Sequence, residues 1–310
     1  MIKLISIVTP CYNEVDNVET LCARIAAAMK DLPYDYEHIF IDNASTDGTI
    51  SKVKSMAFAD KRIKLIINSR NFGHIKSPYY GLLQARGDAC VLIASDLQDP
   101  PEMIPEFVEK WEQGFKTVLA VKPESAESAV MVKVRHAYYG LISRISEVPL
   151  ISNATGAGLF DRAVIEILRG INDPYPYFRG LLCEIGFPIA TVPFKQPRRV
   201  RGVTKNNFYT LYDIAMLGIT NHSKLPLRVM ALGGMILSLL SLIVAICFLM
   251  AKLIFWDSFL LGVAPILIGL FFLGSVQLFF LGVLGEYIGS IHTKVRALPL
   301  VVELERVNFD

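Results

Sequence analysis

The chain changes pattern near residue 200. Before that point, short apolar runs alternate with stretches whose apolar residues recur at helical spacing. Leu4 to Val8 reads as a first strand, and Asn17 to Met29 as a helix with Asp16 as its N-cap. His38 to Ile41 is a second strand ending at Asp42. Asp47-Gly48 turns the chain into a helix over Thr49 to Ala57. Ile63 to Ile67 is a third strand, followed by a helix over Ser77 to Ala85 that closes at Gly87. Ala89 to Ile93 is a fourth strand, Glu102 to Glu112 a helix ended by Gly114, and Thr117 to Val121 a fifth strand. Strands separated by helices predict an α/β domain with a mostly parallel sheet, whose ligands sit beyond the C-terminal strand ends.

After residue 200 the periodicity gives way to unbroken hydrophobicity. Val229 to Ala251 and Phe259 to Gly285 carry no charge, and each is longer than the roughly 20 residues that cross a bilayer as a helix. The expected organisation is a domain over 1–200, a basic juxtamembrane and interfacial segment over 201–226, membrane helices over 227–252 and 259–285, and a tail over 286–310. The connection Lys252 to Ser258 is too short for a domain, so the spans form a hairpin. Lys224 and Arg228 precede it and Lys294 and Arg296 follow it, which places both termini in the cytoplasm of a multi-pass inner-membrane protein. Asn206 to Asn221 has a broad apolar face; it lies on the membrane surface or packs on the domain. Ser125 to Ser128 reads as a loop and Lys133 to Ser146 as amphipathic. Gln277, a lone polar residue in the second span, is expected to bridge the two helices by a hydrogen bond.

Composition agrees with this division. The chain is 53% hydrophobic and only 19% charged, with a mean hydropathy of +0.42, more apolar than a soluble protein of ordinary make-up. Ile2 to Val8 lacks the features of a signal peptide. Five cysteines show neither metal spacing nor a disulfide framework, as suits reduced thiols. Nucleic acid is not expected among the partners.

The candidate chemistry falls at strand ends. Ile93-Ala94-Ser95-Asp96-Leu97-Gln98-Asp99-Pro100 carries the fourth strand into a turn. Asp-Pro is ordinary turn chemistry and accounts for Asp99. It leaves Asp96 and Gln98 unexplained; extended geometry points them the same way, as two oxygen ligands for a hard divalent cation. Pro10, Tyr12, Asn13 and Glu14 follow the first strand, Asp42 closes the second, and Arg70 and Gly73 follow the third. An arginine can serve a phosphate, and a glycine permits close backbone approach. Singly each is a turn; together they favour a nucleotide pocket. Arg198-Arg199-Val200-Arg201-Gly202-Val203-Thr204-Lys205 is either a patch attracted to anionic lipid or a phosphate grip.

The order of "PCYNE", "DNASTDGT", "RNFG", "SDLQDPPE", "RRVRGVTK" and the two-span tail ending "LGEYIG" resembles family 2 glycosyltransferases of the GT-A fold. The likeness is to the polyprenyl-phosphate group, which contains dolichyl-phosphate mannose synthases and bactoprenol glucosyltransferases. It implies that Asp96 and Gln98 hold Mg²⁺ or Mn²⁺ on a diphosphate, and that Pro10, Tyr12, Glu14 and Asp42 cradle uridine. It implies that Arg199, Thr204 and Lys205, with Arg201 beside them, grip a lipid phosphate. The implied partners are a UDP-sugar donor, undecaprenyl phosphate as acceptor, and membrane lipid; the glycine-rich spans also leave room for a homo-oligomer.

The chain departs from the family pattern in three ways. Ala94 stands where relatives often have the first Asp of Asp-x-Asp, and Thr155-Gly156-Ala157-Gly158 replaces a polar segment with a candidate base. Glu184 is then a candidate base or sugar-orienting group, or a solvated helix carboxylate. No Gln-x-x-Arg-Trp occurs, which disfavours polymerisation. The expected activity is inverting transfer of one hexose, glucose by family frequency, to undecaprenyl phosphate for envelope glycan such as O-antigen. Transfer to another glycolipid and a catalytically inactive membrane scaffold are the alternatives.

Overall fold

The computed structural model describes residues 3–122, 151, 153–195, 216, 225–254, 263–296 and 298–309. The segments 125–128, 133–146 and 206–215 and the basic stretch 198–205 lie outside the described residues, as do Lys224 and the turn between the long helices.

Eight strands form one sheet in the order β7-β5-β6-β4-β1-β2-β3-β8. They are β1 (Leu4–Cys11), β2 (Asp35–Asp42), β3 (Ile63–Asn68), β4 (Ala89–Leu92), β5 (Thr117–Val121), β6 (Ala154–Asp161), β7 (Ile189–Pro193) and β8 (Glu303–Val307). β1 pairs in parallel with β2 and β4, β2 with β3, and β5 with β7. β6 runs antiparallel between β4 and β5, and β8 antiparallel to β3. The sheet is therefore mostly parallel, as expected.

Helices cover both faces because the central strands are apolar on both. Ile5, Ile7 and Phe40 point toward α1 (Val18–Met29), α2 (Thr49–Ala59) and α4 (Ile104–Glu112), packing with Leu21, Ile25, Val53 and Phe107. Val8, Ile39 and Ile41 point the other way, toward α3 (Gly73–Gln84), α5 (Arg162–Gly170) and α6 (Phe178–Ile185), among Tyr79, Leu82, Val164 and Leu181.

Three local expectations need correction. Asn17, not Asp16, occupies the N-cap of α1, and its side chain makes no cap bond but donates to Glu14. α3 begins at Gly73, whose φ of 88° starts the turn, rather than at Ser77. Pro78 therefore lies inside α3, where its missing N–H forgoes one helical bond. The fourth helix begins as a 3₁₀ turn, Pro101–Met103, before α4 proper.

Two long helices follow: α7 (Leu225–Ile254) and α8 (Val263–Val295). Among the described residues, Phe272–Val295 is long and apolar enough to cross a membrane, and Leu225–Leu237 is a shorter apolar helix. Leu239, Leu270, Leu278 and Phe279 are exposed, an arrangement water disfavours. Gln277 is exposed as well. Gly233 leaves room for Phe280: a Cβ there would lie 3.7 Å from its Cζ. Met1–Tyr212 together with Thr293–Asp310 forms one compact unit, and Asp213–His292 a second.

Candidate active site

The loops after β1, β2 and β3 are fastened to one another by side chains. Asn13, in the left-handed region at φ 57°, accepts from Thr46 N at 2.8 Å, and its own N donates to Ser45 Oγ at 2.8 Å. Glu14 N donates to Thr49 Oγ1 at 2.9 Å, and Asp47 accepts from Val15 N at 3.1 Å and Thr49 N at 3.0 Å. Asn43 joins the second loop to the third. Its Nδ2 donates to Gly73 O at 3.1 Å, and its Oδ1 accepts from Phe72 N at 3.2 Å and Asn68 Nδ2 at 2.9 Å. The segment Arg70 to His74 is thereby set against the end of β2. Arg70 lies over the Phe72 ring, 4.0 Å from its centroid, and donates to Asn71 O.

Asn13, Glu14 and Gly73 thus belong to one interlocked group at the C-terminal ends of neighbouring parallel strands, with Pro10 and Tyr12 adjoining it at the end of β1 and Arg70 in the loop after β3. Pro10, Tyr12, Asn13 and Glu14 are partly exposed. Asp42 differs. It is fully buried; its oxygens accept from Ser45 N at 2.7 Å and Ser45 Oγ at 2.6 Å, with the Cys11 thiol 3.5 Å away. In this structure Asp42 shapes the turn beneath the surface. Burial raises its pKa, and raises that of Cys11 beside it.

The turn after β4 carries the second group. Leu97 has φ 59°, and Asp96 accepts from Gln98 N at 3.1 Å, so the carboxylate and the amide share one tight turn. Asp99 is buried, and its Oδ1 has no hydrogen-bond partner. The Thr155 hydroxyl donates to Asp99 and accepts from Ala157 N at 3.3 Å. Burial, reinforced by the neighbouring Asp96 charge, pushes Asp99 up to about 7. A buried carboxylate oxygen without a donor, beside a second carboxylate, is an environment that a cation stabilises. No group of three or more His, Cys, Asp or Glu side chains is gathered for a metal among the described residues. The available donor set is therefore two carboxylates and the Gln98 amide.

Sequence reasoning read Asp99 as turn chemistry and passed over Asn43 and Thr155. Their partners, Asn68, Phe72 and Gly73 for Asn43 and Asp99 for Thr155, lie far off in sequence, and no local pattern announces them. The replaced segment Thr155 to Gly158 lies in β6, where Gly158 faces β5 so closely that a Cβ would stand 2.1 Å from Val118 O. Glu184 is exposed near the end of α6, a helix tied to β6 by Arg179, which donates to Ala154 O at 2.8 Å. His74 is exposed, and partial desolvation with the nearby Arg179 charge lowers its pKa. Arg199, Arg201, Thr204 and Lys205 lie outside the described residues.

Residues 6–166 match the model of a protein family described as "Glycosyl transferase family 2". An uncharacterized glycosyltransferase of Synechocystis is 36% identical over 96% of this chain and 93% of its own length. A prophage-derived bactoprenol glucosyl transferase of Shigella flexneri is 32% identical over 95% of this chain and 96% of its own. Among solved structures, a glucosyl-3-phosphoglycerate synthase of Mycobacterium tuberculosis, crystallised with Mn²⁺, UDP-glucose and phosphoglyceric acid, aligns with a TM-score of 0.49. It is 19% identical and covers 70% of this chain and 78% of that one.

Proposed function

The chain belongs to glycosyltransferase family 2, and from that premise we propose that it transfers one glucose from UDP-glucose to undecaprenyl phosphate at the cytoplasmic membrane face. The observation that carries this reading is the likeness to bactoprenol glucosyl transferases over 95% of the chain, which includes the long apolar helices as well as the sheet domain. A polyprenyl phosphate keeps its tail in lipid and its phosphate at the surface. An enzyme joining it to a water-soluble donor works at that boundary, and the pair of apolar helices, read as a membrane hairpin with both termini cytoplasmic, holds it there. The lipid-linked product serves envelope glycan such as O-antigen.

In this reading the loops after β1, β2 and β3 form the nucleotide pocket. Tyr12, Asn13 and Glu14 flank the base, Asp42 holds the floor of the pocket through Ser45, and Arg70 with the Gly73 backbone faces phosphate. Asp96 and Gln98, supported by Asp99, are the residues suited to Mg²⁺ or Mn²⁺. When bound, such a cation offsets the charge that develops on the leaving diphosphate. Arg199, Arg201, Thr204 and Lys205 grip the acceptor phosphate. One acceptor phosphate oxygen attacks the anomeric carbon opposite the diphosphate. The new C–O bond forms as the old one breaks, UDP leaves, and configuration inverts. A phosphate monoester is largely ionised near pH 7, so little base catalysis is required. Glu184 then orients the sugar or takes the residual proton.

The purified full chain, given radiolabelled UDP-glucose, Mn²⁺ and undecaprenyl phosphate, tests this by formation of a butanol-extractable product. Asp96→Ala should abolish turnover and weaken Mn²⁺ binding by calorimetry while its far-UV dichroism stays native. Undiminished turnover in that variant removes the metal assignment, and label passing only to another glycolipid removes the acceptor. Wild-type protein that binds neither UDP-glucose nor UDP is a scaffold of the same fold, a reading that Ala94 and the absence of a carboxylate from Thr155 to Gly158 keep in view.

A further inference from the structure

Arg179 brings a positive charge to the ligand-binding end of the sheet. Strand pairing fixes the place. β6 runs antiparallel between β4 and β5, with Gly158 opposite Leu92 and Ala154 opposite Val121. The start of β6 therefore lies at the C-terminal ends of β4 and β5, beside the turn that carries Asp96 and Gln98. Arg179, the second residue of α6, donates from Nη1 to Ala154 O at 2.8 Å, which brings its guanidinium to that end. Its Cζ lies 5.7 Å from the ring centroid of the buried Tyr177. Among the described residues no carboxylate pairs with it, and Ala154 to Gly158 carry no charge of their own. A guanidinium presents five N–H donors in a fixed fork. The bond to Ala154 uses one of them, and the side chain is partly exposed.

An unpaired guanidinium suits an anion, and the order of strands indicates which one. The nucleotide loops follow β1, β2 and β3, and the turn suited to a cation follows β4. β6 is the next strand in the sheet, on the side of that turn away from the nucleotide. A donor laid along this row, from nucleoside to diphosphate, directs its sugar toward β6. Inversion requires the acceptor oxygen to approach the sugar from the side opposite the diphosphate, which is where Arg179 stands. We propose that Arg179 binds the acceptor phosphate through its guanidinium fork and orients one oxygen toward the anomeric carbon. The assignment rests on the transfer reaction proposed above. It adds a cation anchored in the sheet domain and distant in sequence from the stretch 198–205. The bond to Ala154 holds the fork in place beforehand, so less ordering is needed when the phosphate enters.

The test uses the full chain in a neutral detergent with Mn²⁺, varying UDP-glucose and undecaprenyl phosphate in turn. Arg179→Gln keeps an N–H donor but loses the charge. It should raise the KM for undecaprenyl phosphate on the order of tenfold, with the KM for UDP-glucose and the calorimetric affinity for UDP as in the wild type, which also shows that it is folded. Arg179→Lys keeps the charge and loses the fork, and should show a smaller rise confined to the acceptor. Where Arg179→Gln does not bind UDP, Arg179→Lys carries the comparison. An acceptor KM equal to the wild type in both variants overturns the proposal. So does a parallel change in both KM values with a lowered melting temperature, which identifies Arg179 as a fastening between α6 and β6. A rise in the UDP-glucose KM alone overturns it too, by assigning Arg179 to the donor diphosphate. Absence of product from the wild type removes the transfer reading as well, whereas transfer by the wild type with an unchanged acceptor KM in the variants removes this proposal alone.

Discussion

His38 shows how one side chain sets a pH limit on the fold. It is buried in β2, with Nε2 2.9 Å from Thr9 Oγ1 and Nδ1 3.5 Å from Cys22 Sγ. Burial pulls its pKa from 6.5 down to about 3. The unfolded chain takes up a proton below pH 6.5 that the folded chain refuses until near pH 3. The contribution of His38 is thus fully present above pH 6.5 and is lost as pH falls between those values, at about 1.4 kcal/mol per pH unit. The melting temperature should fall more steeply from pH 6.5 to 5 in the wild type than in His38→Gln, and parallel slopes would refute this role. Asp99 makes a different point at the same scale. A residue adequate as a turn former in sequence becomes, once its Oδ1 is sealed without a donor, a feature only the assembled structure reveals.

Elements differ in how readable they were. β1 to β5 were legible because each holds a short, largely buried apolar run closed by turn residues. β6 was not. Its sequence, ATGAGLFD, lacks a strand's hydrophobic signature, and its Gly158 is dictated by β5 pressed against it. Gly158→Ala should therefore destabilise the domain by about 1–3 kcal/mol or more, measured as a fall in the urea midpoint. A midpoint equal to the wild type would show that β5 and β6 can separate at no cost. β8 was unreadable for another reason: ELERV has mostly exposed side chains and becomes a strand only because β3 offers it an edge. The candidate site divides the same way. Its residues at strand ends were visible, and the amide and hydroxyl groups that clamp them together were not.

For the molecule as a whole, β8 closes the sheet with a segment from the far end of the chain. Beyond its pairing with β3, Ser69 N donates to Val302 O at 2.9 Å, Asn308 Nδ2 reaches Ala57 O at 2.6 Å and Ile63 O at 2.8 Å, and Lys54 pairs with Glu305 at 2.6 Å. The exposed ion pair adds little by itself. The ladder matters more, since it occupies a strand edge that would otherwise be open to other chains. Truncation after Leu300 should lower the melting temperature and promote aggregation, seen by light scattering; a monodisperse truncated protein of unchanged stability would contradict this.

The sharing of Asn43 by two loops, with a third locked to them through Asn13 and Asp47, bears on how such a protein can diversify. Turns that lean on one another cannot be revised singly: a replacement that suits a new donor at one of them unsettles its neighbours. Changes of donor preference in this lineage should therefore arise as concerted sets of substitutions, and libraries that vary one loop at a time should return inactive variants rather than redirected ones.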